Sequence, residues 1–554
     1  MHYTFAHIPW RRILLCAAIA LLPCSATLML AGVPPHAGML TLTAYDAEGK
    51  TLQTGNAFFI NKQGDAACAF HVLKGAAKAV VTDYKGRTYP VHRILGANSS
   101  ADLVKFSTTG TQKPAFYELA PTSPDSGATC LLVNYEAAKK QTPRSVTVTS
   151  RTAYAPYYYY QVSSPNEEQL LGCPLLDANG QLLAITQKNV AAKAMTACAI
   201  DAHFLLTLQI TATSALSADL RAISIPKALP EGYTAASSYL FMLPAADTLT
   251  RRTAYDDFVS QYPDTPDAYA ERAKYRAATG DYAHADADFA LALQKAEAPA
   301  LPDSLMQPEA VHYFISDVVY RHALQQTDSV PVAPGWTLQR ALDEARMAYA
   351  LKPNTLYLIQ QANCHFAVRQ YQEAHDLFLQ ATHDPHFATP DTYFSAARSL
   401  ELAGGDSLSV LALLDSVIVR LPQPVSQRHA QYYLERAVRL LRAQQYRAAV
   451  YDYNEYEKAI GPRNLNERFH YLRPQAELQP RMHPQALHAS RTAAALAADA
   501  RPYRQQEVIM LLQVGEWAEA EQAAQAMVRQ WPDDAECQSL LQLVREQKAK
   551  ASQK

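Results

Sequence analysis

Neither sign of charge is in excess in this chain: 50 Lys and Arg stand against 52 Asp and Glu in 554 residues, a formal net charge of −2. That balance argues against a nucleic-acid-binding footprint, and no Lys/Arg-rich run marks a membrane-surface patch. Past the N-terminus no stretch is long and apolar enough to cross a bilayer. No cysteine pair has the C-x-x-C spacing of a zinc site, so neither metal nor other cofactor is expected.

At 554 residues the chain is too long for one core, and 49% hydrophobic with 18% charged residues is ordinary for folded domains. Arg11 and Arg12 precede the apolar run Ile13–Leu22 and then Pro23-Cys-Ser-Ala26. This is the pattern of a cleaved export signal, assigned to residues 1–31 with cleavage after Ala26 or Ala31. It places the mature protein in the periplasm or envelope of a Gram-negative bacterium, or outside the cell. Lipidation would use Cys24, but Pro23 sits where such signals want a small residue. Of eight cysteines, Cys16 falls in the signal; Cys68, Cys130, Cys173 and Cys198 cluster in the first third, while Cys364 and Cys537 lie far apart. An exported protein permits disulfides; these four allow three pairings, with free buried thiols as the alternative.

Residues 38–212 read as strands. Leu40–Tyr45 alternates with period two, and Ala57–Ile60, Ala79–Thr82, Thr88–Leu95 and Leu103–Phe106 are short β-prone runs between turn signals. Ser145–Ser150, Tyr157–Val162 and Leu182–Thr186 continue the series, which points to a sandwich or barrel.

Four pieces of this region then line up, in order, with trypsin-like serine peptidases. Gly55-Asn-Ala-Phe-Phe-Ile60, a turn and Ala69-Phe-His-Val-Leu73 resemble the strand leading to that family's histidine. Ala101-Asp-Leu-Val-Lys105 resembles the segment holding its acid. Gln169-Leu-Leu-Gly-Cys-Pro174, with an Asp177–Gly180 turn and the strand Gln181–Thr186 behind it, falls on the family's Gly-x-Ser-Gly-Gly-Pro, and Cys198–Asp201 resembles a late pocket-forming strand. The resemblance implies an all-β double barrel, with His71 and Asp102 in the places of the triad histidine and acid. Leu171 then stands in the nucleophile's slot. Leucine has no nucleophilic atom, so His71 and Asp102 are expected to be idle relics. In the oxyanion loop the family's glycines fall on Gln169 and Cys173, leaving only Gly172.

The less specific readings stand beside these. A lone histidine at a strand end is usually a hydrogen-bonded structural residue. A Cys173 thiolate could replace the missing hydroxyl, but its side chain is expected to point away. Ser163 and Ser164 read as solvated turn residues, and Tyr157–Tyr160 as a strand covered on both faces.

Residues 213–250, with Pro226 and Pro230, read as a short helix or strap joining two domains. From 251 to 545 the period becomes helical. Arg272 to Gly280-Asp-Tyr282, followed by Ala285, Phe289 and Ala292, resembles a tetratricopeptide repeat, and the frame recurs at Tyr371/Ala374, Gly405/Val410, Tyr446/Ala449 and Gly515/Ala520. The steps Ala341, Ala374, Val410, Ala449 are 33, 36 and 39 residues; the 71 to Ala520 holds a degenerate copy at Ala486 and Ala493. Six to seven repeats are expected, with an insertion around Gln326–Pro334. They should form an all-α superhelix whose concave face takes a peptide or protein partner. Residues 546–554 read as a disordered tail.

Three functions compete. The first is an exported interaction scaffold, an inactive peptidase-like barrel coupled to a repeat array. The second is a working endopeptidase whose nucleophile lies elsewhere. The third is a structural or self-associating envelope component. Leu171 favours the first.

Overall fold

The computed structural model describes residues 35–134, 143–191, 195–298, 302, 305–325, 333–478 and 481–552. The signal segment 1–31, with Cys16 and Cys24, lies outside the described residues, as does most of the Gln326–Pro334 insertion. The chain divides into two compact units, Met1–Pro263 and Asp264–Lys554.

In the first unit β1 (Met39–Tyr45), β2 (Thr51–Phe59), β3 (Asp65–Cys68), β4 (Lys78–Asp83), β5 (Thr88–Asn98) and β6 (Leu103–Thr108) close into one antiparallel barrel, in the order β1-β2-β3-β6-β5-β4. A single helical turn, α1 (Phe70–Leu73), follows β3. A second barrel is built from β7 (Thr129–Leu132), β8 (Arg144–Tyr154), β9 (Tyr157–Pro165), β10 (Pro174–Leu176), β11 (Leu182–Gln187) and β12 (Thr196–Asp201), in the order β10-β11-β12-β9-β8-β7. Closure removes the free sheet edges. This is the double barrel of the trypsin-like fold. The period-two pattern of Leu40–Tyr45 puts Leu40, Leu42 and Ala44 in the first core, while β11 is buried along its whole length. One core joins Phe58 and Leu103 of the first barrel to Tyr160, Leu175, Ile185 and Ile200 of the second.

The strap beyond the barrels carries α2 (Ala218–Arg221), α3 (Tyr233–Met242) and α4 (Thr248–Gln261). It lies along β5: Ile94 N–H donates to Pro226 O at 2.8 Å and Ala228 N–H to Ile94 O at 2.9 Å. Arg93 grips Asp257 of α4 with two 2.8 Å bonds, Nε to Oδ2 and Nη2 to Oδ1. Helix α4 is thereby held to the barrels, and the first compact unit runs to Pro263.

The second unit is all helix. Its successive hairpins are α5 (Pro266–Ala278) with α6 (Tyr282–Ala296), α7 (Pro308–Leu324) with α8 (Leu338–Leu351), and α9 (Thr355–Ala367) with α10 (Tyr371–Ala381). There follow α11 (Pro390–Leu402) with α12 (Ser407–Val419), α13 (Gln427–Arg442) with α14 (Tyr446–Ile460), α15 (Glu467–Glu477) with α16 (His483–Leu496), α17 (Arg501–Val514) with α18 (Trp517–Gln530), and a last helix α19 (Ala535–Ser552). From α7 onward each helix packs on the next. Ala285, Ala341, Ala374, Ala449, Ala486 and Ala520 are fully buried, and Val410 nearly so. With no side chain beyond Cβ, alanine lets the helix axes approach.

Six hairpins turn in one way. A left-handed residue ends the first helix: Gly280, Arg369, Gly404, Gln444, Arg481 and Gly515, with φ between 57° and 85°. The next N–H reaches back five residues, Asp281 to Arg276 O, Gln370 to His365 O, Gly405 to Leu400 O, Gln445 to Leu440 O, Met482 to Glu477 O and Glu516 to Leu511 O. The left-handed residue bonds three back, and the two bonds together satisfy carbonyls the helix end would otherwise orphan.

Two expectations are corrected here. At α11–α12 the turn glycine is Gly404 and not Gly405, because that hairpin holds one more residue before its small position. The tail is helical through Ser552, where α19 lays Val544 and Leu540 against its neighbours.

Candidate active site

Register brings the first two site residues together. β3 and β6 are antiparallel with Cys68 opposite Val104, and continuing that register sets Phe70 opposite Asp102. Phe70 N–H donates to Asp102 O at 3.1 Å. The His71 backbone N–H donates to Asp102 Oδ1 at 2.9 Å, and its ring Nδ1 bonds Oδ2 at 2.8 Å. Asp102 takes a left-handed backbone, φ 45°, one turn after Ser99, whose carbonyl accepts its N–H. Gly55 on β2 permits this packing, since a Cβ there would fall 2.6 Å from Val72 Cγ2.

The histidine carries a raised pKa. Its hydrogen bond to Asp102 is the main cause, burial opposes it, and the charges of Asp102 and Glu168 add to it against Lys188. Among the described residues no Ser, Thr or Cys side chain hydrogen-bonds the ring. Ser99, Ser100 and Cys198 line the same cleft without doing so.

Leu171 lies between β9 and β10. Glu168–Leu170 forms one 3-10 turn, and Leu171 follows it with an extended backbone, φ −74° and ψ 141°, and a buried side chain. Leu170 N–H donates to Glu167 O at 3.0 Å and Leu171 N–H to Glu168 O at 3.1 Å. Gly172 N–H donates to Thr186 O at 2.9 Å. Cys173 N–H donates to Thr186 Oγ1 at 2.9 Å, and that hydroxyl donates to Leu170 O at 2.5 Å. Asn56 Nδ2 donates to both Gln169 O, at 3.0 Å, and Leu171 O, at 2.8 Å. Gly172 has φ 72°, and a Cβ there would touch Asn56 O at 3.4 Å and Ala69 N at 3.6 Å, so the loop lies against the segment that carries His71.

His71, Asp102, Gln169 and Leu171 all line one cleft of about 1230 Å³ between the barrels. Gly172 and Cys173 do not line it. The Cys173 thiol is fully buried, and desolvation raises its pKa, so no thiolate is offered there. The cysteines at 68, 130, 173 and 198 are all free. At the mouth Lys188 Nζ stands 3.6 Å from Glu168 Oε1. The arrangement joins an acid–histidine pair to a loop in which every N–H from Leu170 to Cys173 is already bonded within the protein. An oxyanion needs convergent amides that are not so engaged.

Two expectations fail at this site. Tyr157–Tyr160 packs on the core but is not covered on both faces: Tyr160 is buried and donates to Asp201 Oδ2 at 3.2 Å, while Tyr157, Tyr158 and Tyr159 are half-buried against that core and Tyr159 also lines the cleft. Ser163 and Ser164 lie within β9, with Ser164 fully buried, because the strand runs on to Pro165 to pair with Thr196. Asn56, Thr186, Glu168 and Lys188 escape the sequence reading. Only Asn56 had a signal, its place beside Gly55 in the segment that resembles the family's strand.

No protein-family model and no curated protein matches the chain. Among solved structures, a variant of the HtrA-type protease AlgW with a tripeptide is 17% identical over 31% of this chain and 58% of that one, with a TM-score of 0.27. The chain thus spans little more than half the length of that protein, and its double-barrel character rests on the strand order of its own two closed sheets.

Proposed function

We propose that this chain is an exported interaction scaffold whose peptidase-like cleft holds an extended polypeptide without cutting it. The observation that carries this reading is the loop at Leu171. The position that resembles the nucleophile's holds a buried leucine, and the amides of Leu170 and Leu171 are spent on Glu167 O and Glu168 O. His71 keeps its acid partner but has no hydroxyl to deprotonate. Strand addition is the mode that suits such a cleft: Gln53–Asn56 of β2 line it ahead of the point, Ala57, where β2 begins to pair with β3.

The helical unit is read as a tetratricopeptide-type array that supplies a second protein-binding surface. The recurrent left-handed turns and buried alanines at one register support that reading.

The test is chemical. Purified full-length chain is treated with a fluorophosphonate serine probe and an iodoacetamide probe, and assayed on unfolded casein. Labelling and cleavage are expected to equal those of His71→Ala. Stoichiometric labelling or turnover that His71→Ala abolishes would sink the scaffold reading in favour of an endopeptidase. Binding is checked on an array of unstructured peptides, where Thr54→Trp, which fills the cleft, should remove retention. A helical unit that captures only its own copies would favour the self-associating component instead.

A further inference from the structure

We propose that helices α11 and α13 share a docking face for an acidic segment of a protein partner, gripped by Arg398 and Arg442 beside the ring pair Phe394 and Tyr432. This rests on reading the helical unit as a second protein-binding surface, and it names the chemistry that surface takes.

Three arginines meet on one carboxylate. Arg439 Nη2 donates to Glu401 Oε2 at 2.6 Å, Arg398 Nη1 to the same oxygen at 3.1 Å, and Arg442 Nη1 to Oε1 at 3.4 Å. Arg439 is also held by Glu435, whose Oε2 accepts from its Nη1 at 2.7 Å. Burial opposes ionisation of Glu401, yet its bonds from Arg439 and Arg398 hold its pKa below the usual carboxylate range. Three guanidinia thus stand against two carboxylates, one positive charge in excess.

That excess faces outward. Arg442 is 72% exposed and Arg398 45%, whereas the Glu401 they share is 23% exposed. A guanidinium has five N–H donors. Among the described residues Arg398 and Arg442 spend one each, so both keep donors for a ligand. An ion pair as long and exposed as that of Arg442 adds little to stability, which leaves its placement to be explained otherwise.

The rings supply an apolar footing beside the charge. Phe394, Arg398 and Glu401 fall at i, i+4 and i+7 of α11, on one helical face. Toward one end of that face the Tyr432 hydroxyl of α13 donates to Asp391, and its ring lies 5.1 Å from that of Phe394. Toward the other, Arg439 and Arg442 of α13 reach Glu401. Both rings are half-buried, so each leaves surface for an apolar side chain. A planar guanidinium matches the fork of a carboxylate. Two free guanidinia suit acidic side chains of a peptide, and are too few for nucleic acid, which is held along a row of phosphates.

Fluorescence anisotropy on the full-length chain tests this with two labelled peptides. One carries Glu and Phe among Gly and Ser, and the other has Lys in place of every Glu. The acidic peptide should bind about tenfold tighter or more. Arg398→Ala and Arg442→Ala should each weaken it about fivefold, Arg442→Ala with an unchanged unfolding midpoint. Glu401→Gln should bind it more tightly while lowering the midpoint, because the arginines lose the carboxylate that competes for them. Weaker or unchanged binding by a folded Glu401→Gln would overturn the proposal, since the cluster would then serve only to clasp two helices. So would equal binding of the two peptides, undiminished binding by the arginine variants, or a DNA oligomer that displaces the acidic peptide better than the unlabelled peptide does. Should Glu401→Gln not fold, the arginine variants decide. A helical unit that retains no peptide of any charge would refute the second-surface reading itself, whereas retention without preference for acid refutes this proposal alone.

Discussion

His71 and Asp102 are joined twice, ring Nδ1 to Oδ2 at 2.8 Å and backbone N–H to Oδ1 at 2.9 Å. A carboxylate so placed orients the imidazole and favours its protonated form. The His71 ring should therefore titrate above its usual value of about 6.5, and in Asp102→Asn, where burial is left to act, below the wild-type value. Ring proton shifts followed by NMR against pH check this. The sign for stability follows. A raised folded pKa stabilises fully below the unfolded pKa, and that contribution fades as pH rises through the folded value. The stability gap between wild type and His71→Gln should thus be largest in mild acid and shrink above neutrality. The ring is more than one-third exposed, so the gap should be modest.

Leu171→Ser should not make an enzyme. Adding a hydroxyl leaves the amide of residue 171 bonded to Glu168 O within the turn, and a lost oxyanion donor costs about 100- to 1,000-fold in turnover. Casein hydrolysis by the purified variant should stay at the background of His71→Ala. Measurable His71-dependent turnover in this single variant would show that the loop opens readily.

Thiol reactivity should single out one cysteine of the barrels. Cys68, Cys130 and Cys173 are buried, whereas Cys198 is half-buried and lines the cleft. Desolvation raises the pKa of all four, up to about 11 for Cys130, so none should react fast. Timed iodoacetamide labelling with peptide mapping should modify Cys198 first, faster at higher pH. A peptide held in the cleft should protect it.

The left-handed turns that lack glycine offer a gain. Arg369 and Gln444 hold φ 64° and 57° at exposed hairpin turns where Gly280, Gly404 and Gly515 stand in sister hairpins. A side chain costs about 1 kcal/mol in this conformation. Gln444→Gly should therefore raise stability by up to about 1 kcal/mol, less what glycine loses in the unfolded chain. Thermal or denaturant unfolding reads it, and a fall in midpoint would contradict the turn geometry.

One ion pair recurs within the array. Arg436 holds Asp452 sixteen residues on, Nε to Oδ2 at 2.8 Å and Nη2 to Oδ1 at 2.6 Å, as Arg272 holds Asp288. Both carboxylates are buried. Asp452→Ala strands a largely buried guanidinium, keeping only the exposed Asp415, and should cost about 3 kcal/mol in denaturant unfolding.

The order of the site residues and both kinds of periodicity were legible in the sequence because they are local. Alternation in Leu40–Tyr45 and the recurrence of alanine at one helical register depend on neighbours a few residues away. Family resemblance carried His71, Asp102 and Leu171, and the cleft brings the three together. The Gly405 frame slipped by one residue because the extra residue at that turn leaves no trace in the helical pattern on either side.

What tertiary structure alone decided is the state of the loop. The bonds of Asn56 to Gln169 and Leu171 span 113 and 115 residues, and they exist only because two closed barrels face each other in one register. Tyr159 opens onto the cleft, and Ser164 is buried, for the same reason: a strand's residue types say that it alternates, while the opposing barrel decides what each face meets. Sequence by itself determined that the position resembling a trypsin-like nucleophile's holds a leucine. Only the fold placed the neighbouring amides on protein acceptors, because the direction of a peptide plane is set by the partners it finds in space.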